Sequence, residues 1–138
     1  MNLAKIQLVL GCTFAACIVV STIHPWGPAT VEASSGDVGN PTRGKELFEK
    51  RCGGCHSLES DKEGPRLRDV YGRRAGSIPT FKYSDALKSA RYTWDAATLD
   101  RWLTNTESVV PDNDMDFHVP KADERADIIE FLRVSSRP

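Results

Sequence analysis

Cys52-Gly53-Gly54-Cys55-His56 is the stretch of this 138-residue chain with the most definite chemistry. It reads C-x-x-C-H, the attachment signature of a c-type haem. Two thiols three positions apart fall on one side of a helical turn, so both can reach the two vinyl groups on one edge of a porphyrin. The imidazole that follows at once is then held beneath the iron as an axial ligand. Gly53 and Gly54 carry no side chain, which lets the backbone lie close to the macrocycle. Other uses of the two thiols are less well supported. A thioredoxin-like pair needs a βαβ pattern around it, and none is visible. A zinc site needs further Cys or His at ligand spacing, and after residue 56 the chain offers only His118. A disulfide across two residues would constrain almost nothing.

The iron needs a sixth ligand or an open site. Met1 and Met115 are the only methionines. A lone methionine is ordinarily core filler, but Met115 lies in Val110-Pro111-Asp112-Asn113-Asp114-Met115-Asp116-Phe117. That acidic, proline-containing run lacks the apolar neighbours at helical spacing that a core helix would show. A loop with one methionine about sixty residues after C-x-x-C-H suits a His/Met-ligated haem. His118 is the competing ligand, and it would have to displace a softer donor already well placed.

Helices must position these groups. Asn40-Pro41 opens the first, with Asn as cap and Pro at the first helical position. Gly44, Leu47, Phe48 and Arg51 recur at three- and four-residue spacing, so residues 41–53 read as an amphipathic helix that delivers Cys52 at its end. Gly64-Pro65, Gly72, Gly76 and Pro79 punctuate residues 57–82, predicting a long loop. Such a loop counts against a compact fold unless it packs on a cofactor. Ser84–Ala90 predicts a short helix and Asp95–Thr104 a clearer one, with Leu99, Trp102 and Leu103 on one side. After the methionine loop, Asp123 is expected to cap a last helix whose stripe is Ala126, Ile128, Ile129, Phe131 and Leu132. No segment alternates as a strand. The class is all-α with the haem as the centre of the core, because about a hundred residues with this much loop would otherwise bury too little surface.

Residues 1–33 are expected to be a signal peptide or an N-terminal membrane anchor, residues 34–40 a linker, and residues 41–138 the haem domain. Lys5 precedes an almost uncharged apolar run over residues 6–23, and Val31-Glu32-Ala33 resembles a small-x-small cleavage site. A run of about 18 apolar residues is also at the lower limit for spanning a bilayer, so a tether through residues 6–23 is the alternative. Cys12 and Cys17 lie in this run, neither behind a good lipidation signal. Either form sends the domain out of the cytoplasm, to the periplasm in a bacterium. The net charge of −1 gives no reason to expect nucleic acid or an anionic membrane as partner. Its distribution is uneven. Residues 43–74 carry nine Lys/Arg and six Asp/Glu, and residues 105–130 carry two and eight.

Order and spacing together resemble a family. Gly44…Phe48…Cys52-Gly53-Gly54-Cys55-His56, Gly64-Pro65-x-Leu67, Tyr71-Gly72-Arg73-Arg74-Ala75-Gly76, Phe81-x-Tyr83-Ser84-Asp85-Ala86, Thr93-Trp94, Pro111-x-x-x-Met115-x-Phe117 and Arg125-Ala126-Asp127-Ile128-Ile129-x-Phe131-Leu132 resemble the class I cytochromes c, in the branch similar to mitochondrial cytochrome c. The resemblance covers roughly residues 40–135. It implies the class I cytochrome c fold, one covalent haem c on Cys52 and Cys55, and His56 and Met115 as axial ligands. It implies that the Pro65 carbonyl accepts the far imidazole proton of His56, that Arg73, Tyr83 and Trp94 face the haem propionates, and that Phe117 packs beside the exposed haem edge. Gly44 and Phe48 would meet Ile128 and Phe131 where the first and last helices cross.

There are departures. Trp102 stands where a Tyr is usual and Leu87 where an Asn is usual, and both make the Met side of the haem less polar. Asp112, Asp114 and Asp116 replace a Lys-rich surround, so the docking partner should not present an acidic face. The function implied is an extracytoplasmic monohaem carrier that shuttles single electrons between redox proteins, not an enzyme. The alternatives are a tethered haem subunit of a larger oxidase or dehydrogenase, and a peroxidase or gas-binding haem with an open iron.

Overall fold

The computed structural model describes residues 38–136. The chain divides into two units, Met1–Glu32 and Ala33–Pro138. The expected signal peptide or anchor, with Cys12 and Cys17, and residues 34–37 of the expected linker lie outside the described residues. The second unit has five helices among the described residues: α1 Pro41–Arg51, α2 Asp85–Ser89, α3 Ala96–Thr104, α4 Thr106–Val109 and α5 Ala122–Ser135. It has no strand among them, only an isolated antiparallel bridge between Arg74 and Thr93.

Helix α1 starts where its chemistry allows. The Asn40 side-chain oxygen accepts the N–H groups of Thr42 and Arg43 at 3.0 and 3.1 Å, and Pro41 has no N–H to satisfy. Lys50 and Arg51 end it, complementing the negative end of the helix dipole. The Cys52 N–H still bonds the Phe48 carbonyl (2.8 Å), and the His56 N–H bonds the Cys52 carbonyl (2.8 Å). The helix therefore runs directly into the C-x-x-C-H turn.

Helix α5 packs across α1. Gly44 makes the crossing possible, because a Cβ there would sit 2.0 Å from the Asp127 carbonyl oxygen and 2.8 Å from the Phe131 Cβ. One turn on, Phe48 and Phe131 stack at a tilt with centroids 5.3 Å apart. The fully buried Asp127 carboxylate accepts the Asn40 N–H (2.7 Å) and pairs with Arg43. A buried carboxylate is tolerable only with such partners. The expected cap of α5 is corrected. Lys121 flanks the helix without a side-chain cap bond, and Asp123 lies with Glu124 inside the first turn. Carboxylates there still face the positive end of the dipole.

Helix α3 carries a capping box. Asp95 accepts the Thr98 N–H (2.7 Å), and Thr98 Oγ1 accepts the Asp95 N–H (2.8 Å). Its buried face is Thr98, Leu99, Trp102 and Leu103. Ser84 caps α2. Helix α4 was not expected. Asn105 ends α3 and, through its side chain, accepts the Ser108 N–H (2.9 Å) to start α4. The long loop is tied to itself and to the chain before α3. Backbone bonds run from Leu67 to Ser57 (2.8 Å), from Gly72 to Trp94 (2.7 Å) and from Trp94 to Arg73 (2.9 Å).

Candidate functional site

The loop, α3, the methionine segment and the inner faces of α1 and α5 enclose a cavity of about 400 Å³. Its size is in the range of cofactor sites. Cys52, Cys55, His56, Pro65, Arg73, Tyr83, Trp94, Met115 and Phe117 all line it. The nine residues singled out from the sequence are thus brought together. His118 is exposed and is not among the lining residues.

His56 is buried at 8% exposure. Its Nδ1 lies 2.7 Å from the Pro65 carbonyl. A carbonyl can only accept, so Nδ1 carries the proton and Nε2 keeps its lone pair. Burial holds the imidazole below its usual range, outweighing the Pro65 bond, which acts upward. Folding therefore selects the neutral ring, the form that can ligate a metal. Gly64 shapes the approach. A Cβ there would fall 2.3 Å from His56 Cε1 and 2.7 Å from each ring nitrogen. The Gly64-Pro65 pair thus serves one imidazole twice, by a steric gap and by an acceptor.

Cys52 and Cys55 are not joined to each other by a disulfide. Burial pushes the Cys52 thiol up to about 11, with Arg51 opposing. A thiol held protonated is a poor nucleophile, so Cys52 does not resemble the activated thiol of a redox pair. Cys55 is exposed, with Glu63 Oε2 3.8 Å from its sulfur.

Met115 is half-buried. Its N–H donates to Asn113 Oδ1 (2.8 Å), and its carbonyl accepts from Thr106 Oγ1 (2.6 Å). The segment turns through Asp112, which adopts φ +62°, the left-handed region.

On the loop side Arg73 donates to the carbonyls of Arg68 (2.8 Å) and Arg66 (3.1 Å). It has no ion pair among the described residues. Burial works against its cation, and it pushes the buried Tyr83 phenol above its usual range. A partly desolvated guanidinium beside a phenol and an indole suits an anionic group inside the cavity. Trp102 and Leu87 are also in the lining, and the Trp94 and Trp102 rings lie 5.3 Å apart. Phe117 is half-buried.

The donor set fits an iron porphyrin with acidic side chains. Two thiols, a neutral imidazole, a thioether and a half-buried cation surround one mainly apolar space. Sequence reasoning missed Glu63, Val70 and Asn113 as lining residues. Only Asn113 carried a signal, as a polar residue two before the methionine.

Three comparisons with known proteins bear on this site. The family model described as Cytochrome c matches residues 41–136. A cytochrome c2 of Rhodomicrobium vannielii is 42% identical over 104 residues, which span 72% of this chain and 82% of that protein. A cytochrome c of Euglena viridis is 41% identical over 98 residues, 69% of this chain and 96% of that protein. Among solved structures, cytochrome cH from Methylobacterium extorquens matches with a TM-score of 0.66 at 34% identity, covering 70% of this chain and 99% of the other.

Proposed function

Because this chain belongs to the cytochrome c family and is a monohaem electron carrier with one covalently attached c-type haem, we propose that His56 and Met115 are its axial ligands and Cys52 and Cys55 its attachment points. The observation that carries this reading is the convergence of all four side chains on one cavity. When bound, the haem supplies one-electron chemistry at iron, and methionine ligation favours the reduced form. The chain's residues hold that site still. Pro65 fixes the His56 ring and tautomer. Arg73, Tyr83 and Trp94 would hold the acidic side chains of the group. Leu87, Leu99, Trp102 and Leu103 would help exclude water from the cavity. Phe117 would pack against the bound group. With His56 and Met115 both on the iron, no position would be left for a substrate, which fits transfer and not catalysis.

The partners are redox proteins, and their docking face follows from charge. Asp112, Asp114 and Asp116 are exposed around Met115 and make no ion pair among the described residues. Glu107 adds a fourth acidic group. Such a rim steers a basic partner and repels an acidic one. Oxidation of the reduced protein by the cation tris(phenanthroline)cobalt(III) should slow several-fold between about 0.01 and 0.15 M salt, as the screening length shrinks. Oxidation by the anion ferricyanide should not slow. Equal salt responses would refute the acidic docking face, and failure to reduce either reagent would refute the carrier role.

The apolar run over residues 6–23 supports export, with the haem domain working outside the cytoplasm. No described helix is long and apolar enough to cross a membrane. Of the two N-terminal readings we take cleavage after Ala33. Intact mass spectrometry of the exported protein should give a chain starting at Ser34 plus the mass of one haem. A mass retaining residues 1–33 would establish the tethered form instead.

A further inference from the structure

We propose that Glu107 is a positioning residue for Met115, acting through Asn113. This rests on the reading of Met115 as an iron ligand. Glu107 is an exposed residue of the single-turn helix α4, yet both its carboxylate oxygens are engaged. Oε1 accepts the Asp112 N–H (3.0 Å), and Oε2 accepts from Asn113 Nδ2 (3.2 Å). The Asn113 amide also donates to the Val110 carbonyl (2.9 Å) and, through Oδ1, accepts the Met115 N–H (2.8 Å).

One orientation of the Asn113 amide satisfies all three contacts. Turned over, its oxygen would face the Glu107 carboxylate and the Val110 carbonyl, two acceptors, and its NH₂ would face the Met115 N–H, a donor. Glu107 therefore selects the orientation that leaves an oxygen for Met115. It also holds the N–H of Asp112, whose left-handed backbone an aspartate adopts less readily than a glycine. Thr106, the neighbour of Glu107 on α4, is buried and grips the Met115 carbonyl. Both polar atoms of Met115's own backbone are thus anchored, directly or through Asn113, to α4. The position of Glu107 among Asp112, Asp114 and Asp116 opposes its charge, and the two hydrogen bonds it accepts offset that repulsion.

The test is displacement of Met115 by added imidazole in the ferric holoprotein. Imidazole binds only molecules whose methionine has left the iron, so its apparent affinity scales with that open fraction. Glu107→Ala should bind imidazole about tenfold more tightly than the wild type, the effect of losing the one charge-assisted hydrogen bond that reaches Met115, from Asn113 to Glu107. Asn113→Ala should do the same. The double variant should gain little over Asn113→Ala alone, because the two residues act in series. Asp116→Asn removes the same charge one residue from Met115, and its affinity should stay within about twofold. Wild-type affinity in Glu107→Ala, multiplying single effects, or an equal gain in Asp116→Asn would each overturn the proposal. The Met115 reading fails separately, if the wild-type ferric protein has no sulfur-to-iron band before any variant is made.

Discussion

Replacing Met115 with alanine should leave the protein folded and open the sixth position of its iron. The loop holding residue 115 is anchored by Thr106 to the residue 115 carbonyl, by Asn113 to its N–H and by Glu107 to Asp112, and none of these bonds uses the thioether. The helix crossing of α1 and α5 rests on Gly44, Phe48, Asp127 and Phe131. The loss should therefore fall on the iron. The ferric spectrum should turn from low-spin to high-spin or take on water, and the reduced variant should bind carbon monoxide readily. Loss of the methionine should lower the reduction potential by an amount on the order of a hundred millivolts, within the wide range that axial ligands control. A Met115→Ala protein that stays low-spin and inert to carbon monoxide would mean that another side chain ligates the iron, with His118 the first to examine.

The second large effect is expected at Gly64. Glycine is needed there for close approach, since an added methyl would sit 2.3 Å from His56 Cε1. The ring cannot turn aside freely, because its Nδ1 is bonded to the Pro65 carbonyl. Gly64→Ala should thus tilt the imidazole or push the loop outward, costing about 1–3 kcal/mol by overpacking. The measured outcome would be a lower guanidinium midpoint with unchanged slope, and a perturbed ferric spectrum. Glu46→Ala, at an exposed position of α1, is the control, and its midpoint should move by no more than about 0.5 kcal/mol equivalent. If Gly64→Ala behaves like Glu46→Ala, the imidazole is not held by the geometry described here.

Much of the site could be read directly from residue types. C-x-x-C-H, the single internal methionine and the Gly-Pro pair are chemical signals with fixed spacing, and they need no knowledge of packing. Helices α1, α3 and α5 were legible because each buries one face, so their apolar residues recur at helical spacing. Helix α4 left no such trace. It is four residues long and buries only Thr106, and it exists because Asn105 caps it and Glu107 holds the next turn. The start of α5 was misplaced for a related reason. Asp123 has the character of a cap, but the same carboxylate is favoured inside a first turn, and sequence alone does not separate the two. The loop over residues 57–82 looked unstructured because its order comes from backbone bonds to distant residues, such as Gly72 to Trp94. Gly64 was legible as a motif letter, while its steric purpose depends on where the His56 ring lies.

The central claim is that one iron is held between His56 and Met115. Near-infrared absorption of the purified ferric protein tests it most directly. A low-spin spectrum with the weak sulfur-to-ferric-iron band, lost in Met115→Ala, is the result predicted. A high-spin ferric spectrum without that band would contradict it.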